Sequence, residues 1–492
     1  MTYAAPAQTA TWEIGRTVTL EETYTDNLRL TPPGTEQGDW VTTLSPTLSV
    51  RARGDQLRFD VVYSPQLIHR AREGSDDVVH KLNANVTAEL VKQMLFLDAR
   101  SIITQQNVSA LGPQSQSNIN DTGNRETVRS TLLSPFLRHD FGLDARVEAR
   151  YTYSIVDADS AANDTLSSST ANGAELSIRS GPTFKLVTWH AEYTKQHIDY
   201  DDARIQDIDI QRISAGAKRL VTPQIGVLAN VGYEDNNYLT TGRELKGAFW
   251  NVGAEWSPSP RTRLAATAGR NYEGITGSLD FGHCTRLSAV ALSYTQDIST
   301  ARAQTLLPRP IETAERLSGL LQCSIPNPDA RQAAVNAFID QAGAPATFGT
   351  QIGFNSSVPF LQKRWTASIG SQGVRNTVMA TVYTQTREAL GPVDQPGAGD
   401  FAQSDKMRDS GAAMLWTTRL TTQTTFNFNA GLARTELIAT GLTQEVKFVR
   451  FALTHNFSRR LSGTLSFTRQ QGSNGGPTYS ENALSGTITA RF

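Results

Sequence analysis

Long apolar runs are missing from this 492-residue chain. Nothing approaches the roughly 18–20 consecutive apolar residues that a membrane-crossing helix needs, which excludes a helical membrane protein. Charge is also scarce. Charged residues make up 19% and hydrophobic residues 39% of the chain, against about 25% and roughly 45–50% in soluble domains. Thr, Ser, Asn and Gln take their place. With 46 basic and 47 acidic residues the net charge is −1, so the basic excess that a nucleic-acid partner demands is absent. The two cysteines, Cys284 and Cys323, are too few for a disulfide framework, though a single bond between them remains open. The seven histidines show no metal-ligand spacing. No phosphate-binding glycine motif is present, so neither a metal nor another cofactor is expected. The stretch after Met1, TYAAPAQTA, lacks the basic start and apolar core of a leader, and the numbering is expected to begin at a processed or trimmed N-terminus.

What the chain does have is alternation. In Gly142 to Ile155 every odd position from Leu143 is apolar (Ala145, Val147, Ala149, Tyr151, Tyr153) and every even one polar (Asp144, Arg146, Glu148, Arg150, Thr152). A period of two puts successive side chains on opposite faces of an extended strand, giving one greasy and one charged face. The stretch is as long as the roughly 9–11 residues a tilted strand needs to cross a bilayer, whereas strands of soluble sheets run to about 5–6. A membrane barrel wall explains the composition, since one half of each strand faces lipid and excludes charge while the other faces a polar lumen.

The same unit recurs along the chain, and its connections alternate in length. Short ones fall at Arg53-Gly54-Asp55, Lys92-Gln93, His139 to Gly142, Ser257 to Pro260 and Ser458-Arg459-Arg460; long polar ones fall between them, such as Thr25 to Asp39, Asn107 to Arg125 and Ala389 to Asp409. Sorting loops by parity is a property of single-chain outer-membrane barrels and has no cause in a soluble sandwich. The reading is therefore all-β, a single transmembrane antiparallel up-and-down barrel over residues 1–492, with about twenty-two strands and both termini at the short-turn rim. Three features strain it. Pro46, Pro65 and Pro135 fall inside strands, where they require bulges or shortened ladders. The alternation slips between Ile210 and Ile213, and again at the adjacent Phe448 and Val449.

Trp12, Trp40, Trp250, Trp256 and Trp416 fall near strand ends, as an aromatic girdle at the lipid headgroups would place them, whereas Trp189 and Trp365 fall nearer strand centres. The final strand alternates through Leu484, Ile488 and Phe492, like the terminal strands that barrel-assembly machinery reads. One segment, 301–361, drops the strand period for two helical patterns: Ile311, Ala314, Leu317 and Leu321, then Val335, Phe338, Ile339 and Ala342. Asn327-Pro328-Asp329 supplies a cap, a first-turn proline and an acid for the second helix, and Gly343 can close it. The insert either caps the barrel outside or enters the lumen as a constriction. A bond between Cys284, at a short-rim turn, and Cys323 requires the second.

The polar face supplies the expected lumen side chains: Arg51, Arg58, Asp60, Arg146, Glu148, Arg150, His190 and Glu192, with Lys81, Glu89, Asp98, Arg100, Arg129 and Asp144 beside them. His190 and Glu192 are two apart on one strand, within about 7 Å, but no nucleophile accompanies them and catalysis is not expected. A wall of both signs should select ions weakly.

Three stretches, LEETYTDNLRL at 20–30, LSYTQDIST at 292–300 and FLQKRWTASIGSQGVRNTV at 360–378, resemble the PEP-CTERM system-associated outer-membrane proteins, over nearly the whole chain. That resemblance implies a Gram-negative outer-membrane barrel accompanying exosortase and exopolysaccharide loci, and carries no functional residues with it. Two functions remain open: a porin-like conduit linked to export of a polysaccharide or other surface polymer, or a non-conducting barrel that anchors envelope or matrix partners. The expected partners are outer-membrane lipid, the assembly machinery and export proteins of the envelope.

Overall fold

The computed structural model describes residues 10–159, 167–237, 245–306, 313–342, 354–394, 396–473 and 476–492. Every strand in it belongs to one antiparallel sheet. The first strand, Thr11–Thr25, pairs with Asp39–Arg53 on one side and with the last, Thr478–Arg491, on the other, which closes the sheet into a barrel. Twenty-four strands are present, but two crossings are each split in two, leaving 22 crossings of the wall. Pro65 causes the first split. It has no N–H for the ladder, and it separates Leu57–Tyr63 from Gln66–Arg70, opposite a matching gap between Ser75–Val79 and Leu82–Val91. The register is unshifted across the gap, since Leu48 pairs with Tyr63 and Leu44 with Leu67. Pro46 and Pro135 sit inside unbroken strands whose register also holds.

Residues opposite one another in a ladder share a face, so the registers decide which side chains point inward. Val18, Leu20, Tyr151, Trp250 and Val252 face out and are exposed, as a lipid-facing wall requires, and Val147 shares the outward face of Tyr151. Trp12, Trp256 and Trp416 stand outward toward the short-turn rim, Trp40 and Trp250 toward the long-loop rim. Trp189 lies two residues into the strand Val187–Tyr200, so it belongs to the rim and not to a strand centre.

Near the long-loop rim the polarity of the two faces reverses. There Val41, Ile68, Val128, Val156 and Ile198 point inward and are buried, while Arg129, Asp157, His69 and Asp199 point outward. Strands that rise beyond the lipid have water outside, and folded loops cover their inner face, so the buried side changes sides. This corrects Arg129, expected in the lumen: it faces out and pairs with Asp157 and Asp159 at 3.0 and 2.7 Å. Asp144 lies in the turn before Ala145–Ala158 and not on the wall. The same reversal removes both supposed slips. Ile208 and Ile210 face in beneath the loops and Ile213 faces lipid, while Phe448 faces in and Val449 out, on strands that pair in register there.

Candidate functional site

Three helices follow the strand Ser288–Ser299: α1 (Ala301–Leu306), α2 (Thr313–Leu321) and α3 (Pro328–Ala342), the first of them beyond the two expected. Ile311 and Gly343 lie outside the described residues. Asn327 caps α3, its Oδ1 accepting from the Ala330 N–H at 2.9 Å, with Pro328 in the first turn.

The insert enters the lumen. Leu317, Leu320 and Leu321 of α2 and Val335 of α3 pack on Met379, Tyr383, Ala413 and Leu415, inward residues of the strands Asn376–Ala389 and Lys406–Arg419. Their approach is close at Gly370, where an added Cβ would lie 3.1 Å from a Leu320 methyl. Cys323, just beyond α2, is bonded to Cys284 at the end of the strand Gly274–Cys284, with Cα atoms 6.1 Å apart. Since Cys284 belongs to the short-turn rim, the insert runs from one rim almost to the other.

Above it, the long-loop mouth is covered. Helix α1 reaches about a third of the way round the ring. There the buried Arg302 donates to Ser169 Oγ and to the Ser154 carbonyl and hydroxyl, each at 2.9 Å. The loop 108–124 extends nearly to the opposite side, where Asp400 accepts from Ser109 Oγ at 2.5 Å and from the Ala110 N–H at 2.7 Å. On its way it meets the wall twice: the Gln114 N–H donates to Tyr479 Oη, and Asn120 Nδ2 to Glu481 at 2.7 Å. Phe354, Phe360 and Phe401 pack edge to face beside Ala110, which makes the centre of the cover apolar. Burial there pushes the Asp400 carboxyl up to about 6. Sequence reasoning missed Ser109, Arg302, Asp400 and Glu481. They lie in loops, a short helix or a strand end and share no spacing.

Beneath the cover the inner wall is divided. From Asp39–Arg53 round to Thr262–Asn271 it carries charges open to water. Arg51 lies 3.4 Å from Asp60, and Arg58 stands beside them across the ladder from Arg53. Arg150 binds Asp98 and Glu148, each at 2.9 Å, and lies 3.9 Å over the Phe136 ring. Glu148 also holds Arg138 at 3.0 Å, and Arg146 binds Asp140 at 2.6 Å toward the short-turn rim. His190 and Glu192 are on this arc, His190 opposite Gly216 and Arg179, and Glu192 opposite Ser214 and Ser177. On the other arc, from Asn376–Ala389 to Leu461–Ser473, inward positions are mostly neutral, Thr, Ala, Asn, Ser and Gln with the apolar Met379, Leu415 and Phe448, and nearly all are buried; the charges among them are Arg387, Asp409 and Arg450. Its one buried ion pair, Arg387–Asp409 at 3.1 Å, is held by Thr435 and Gln385, which both donate to Asp409.

Outside the wall, His197, Asp199 and Asp207 bring ligand-type atoms within 4.8 Å of one another. Both ring nitrogens of His197 are already engaged, by Asp209 and Asp199 at 2.9 and 2.8 Å.

A closed, even-stranded antiparallel barrel with an apolar outer band, long loops at one rim and both described ends at the other is a membrane barrel of the bacterial outer membrane. No family model and no curated protein matches the chain. Among solved structures it is similar to the siderophore receptor PirA from Acinetobacter baumannii, at 9% identity and TM-score 0.49, covering 99% of this chain and 81% of that one. It is also similar to the FrpB iron transporter from Neisseria meningitidis (8% identity, TM-score 0.48, 97% and 81% covered). OprD from Pseudomonas aeruginosa is a third (8% identity, TM-score 0.33, 99% and 97% covered).

Proposed function

We propose that the barrel is a porin-like conduit in its closed state, for a neutral or weakly charged surface polymer, with the segment 301–361 as the removable constriction. The observation that supports this best is the divided lumen. Helices α2 and α3 pack on the neutral arc and on the strands Ser288–Ser299 and Phe360–Gln372 next to it, and the charged arc keeps its side chains in water below the cover. Its charges are mixed, Arg beside Asp and Glu, which suits weak ion selectivity. A polymer such as an exopolysaccharide accords with the resemblance of residues 20–30, 292–300 and 360–378 to barrels that accompany such loci. The cover, joined by buried hydrogen bonds and an aromatic cluster, favours a second reading, a sealed barrel that anchors partners.

Deleting 301–359 and joining the flanking strands by a short turn separates the two. A conduit gives higher single-channel conductance in planar bilayers and admits larger uncharged sugars than the parent. A folded deletion variant that conducts no more than the parent overturns the gate role and leaves the anchor.

A further inference from the structure

The outer wall carries a groove that the lumen does not explain. It has a volume of about 490 Å³ and crosses five strands between Asn376–Ala389 and Leu461–Ser473. Ala380, Ala412 and Ala430 form its floor, and Val382, Met414 and Leu432 stand up beside them with their side chains exposed. The registers set these in two adjacent rows: Ala380, Met414 and Ala430 in one, Val382, Ala412 and Leu432 in the other. The same two rows each reach a cation. Leu432 is paired with Lys447, and Ala430 with Val449, which is paired with Arg469.

Cations on a lipid-facing wall cost about 2–4 kcal/mol at the membrane midplane and almost nothing at its edge. These lie toward the edge. Lys447 is the fifth residue of a strand that starts at the long-loop rim, and Arg469 is five from the end of one that finishes there. Arg434 and Arg408 continue the outward patch toward the same rim. Glu445, the ladder partner of Arg434, holds Lys447 at 2.5 Å, Glu436 lies 3.9 Å from Arg408 and Glu388 holds Lys406 at 3.0 Å, so three acids face five cations. Among the described residues neither Arg434 nor Arg469 has a carboxylate within ion-pair reach, although Arg469 donates to Asn482 at 3.2 Å.

We propose that this face binds a phosphorylated, multiply acylated lipid of the outer leaflet, its acyl chains over the alanine floor and its phosphates on Lys447, Arg469 and Arg434. An apolar slot that opens on a group of cations outnumbering their acids at headgroup level fits an anionic glycolipid. A protein partner or a second copy would have to match an excess of positive charge. The inference is independent of what the lumen carries.

The test uses the whole chain refolded in uncharged detergent free of lipopolysaccharide, with folding checked by the mobility shift of unheated barrels on gels. Native mass spectrometry then titrates it with bisphosphorylated lipid A and with the same lipid stripped of phosphate. The expected result is one bound lipid, at least tenfold tighter with phosphates. Lys447→Gln with Arg469→Gln should remove that preference. Ala412→Phe, which fills the slot from the lipid side, should weaken both lipids, and Glu445→Gln, which frees Lys447, should tighten the phosphorylated one. Equal binding of the two lipids, or folded variants that bind like the parent, overturns the proposal. So does a lipid-free dimer that Ala412→Phe dissociates, which would give the groove to a second copy.

Discussion

The two arcs of the inner wall are built from the same strand unit and differ in what they bury. Around Arg150, Glu148, Asp98 and Arg138 the inward side chains form a charged network that stays wet. Around Met379, Ala413, Thr417 and Asn427 they are small or neutral, and buried. The helices dock on the second arc for an energetic reason. Covering the first would strip water from charges such as Arg150, Glu148 and Asp98 for little apolar contact, whereas Leu317, Leu320 and Val335 bury apolar surface against Met379 and Leu415. The position of the helices is thus set by where the wall lacks charge.

The comparison breaks most sharply at Leu317, which is fully buried against the neutral arc. Leu317→Ala should weaken the docking of α2 and α3 by about 2–5 kcal/mol. It should show as faster hydrogen exchange over 313–342 and as longer openings in planar bilayers; unchanged exchange would mean that the docking does not depend on this contact. Next comes the wall of the charged arc. Val147→Arg puts a charge in lipid and should cost about 2–4 kcal/mol in barrel stability. Its neighbour Glu148→Gln, facing water, should cost well under half of that; equal losses in urea unfolding from liposomes would reverse the assignment of faces.

The cover supplies a pH dependence. Asp400 is buried and its carboxyl is raised to about 6, whereas in an open loop it would titrate near 4. The folded cover therefore binds the proton more tightly than the open one. The stability this contributes is full below about pH 4 and is lost as pH rises through 6, at most about 3 kcal/mol. Openings should be rarer at pH 4.5 than at pH 7.5, and Asp400→Asn, uncharged at both, should flatten the difference. A full pH response in that variant would move the switch elsewhere. The smallest effect belongs to a single charge on the wet arc. Arg146→Glu should shift the cation-to-anion permeability ratio less than threefold, because Asp140, Glu148 and Arg150 remain around it; a reversal of selectivity would identify Arg146 as a filter.

The wall was legible wherever a strand lies within lipid. Val147 against Glu148, or Leu484 against Ser485, declares its face because one side must be apolar. Legibility ended where the strands leave the bilayer. Arg129 read as a lumen residue, and Ile210 to Ile213 read as a slip, because the rule that polar means inward reverses once loops cover the inside and water bathes the outside. Of the three prolines in the ladder, only Pro65 split a strand, and the sequence showed no difference between it and Pro46 or Pro135.

By itself the sequence determined the closed antiparallel wall, the sorting of its loops and the helical character of Thr313–Leu321 and Pro328–Ala342. Those features depend on periods of two and 3.6 and on punctuation local to a few residues. Only the tertiary structure decided that Asp400 meets Ser109 across the mouth, that Arg302 reaches Ser154 and Ser169, and that Cys323 descends to Cys284. Such contacts join segments far apart in the chain, and no local pattern encodes which residues ring closure will bring face to face.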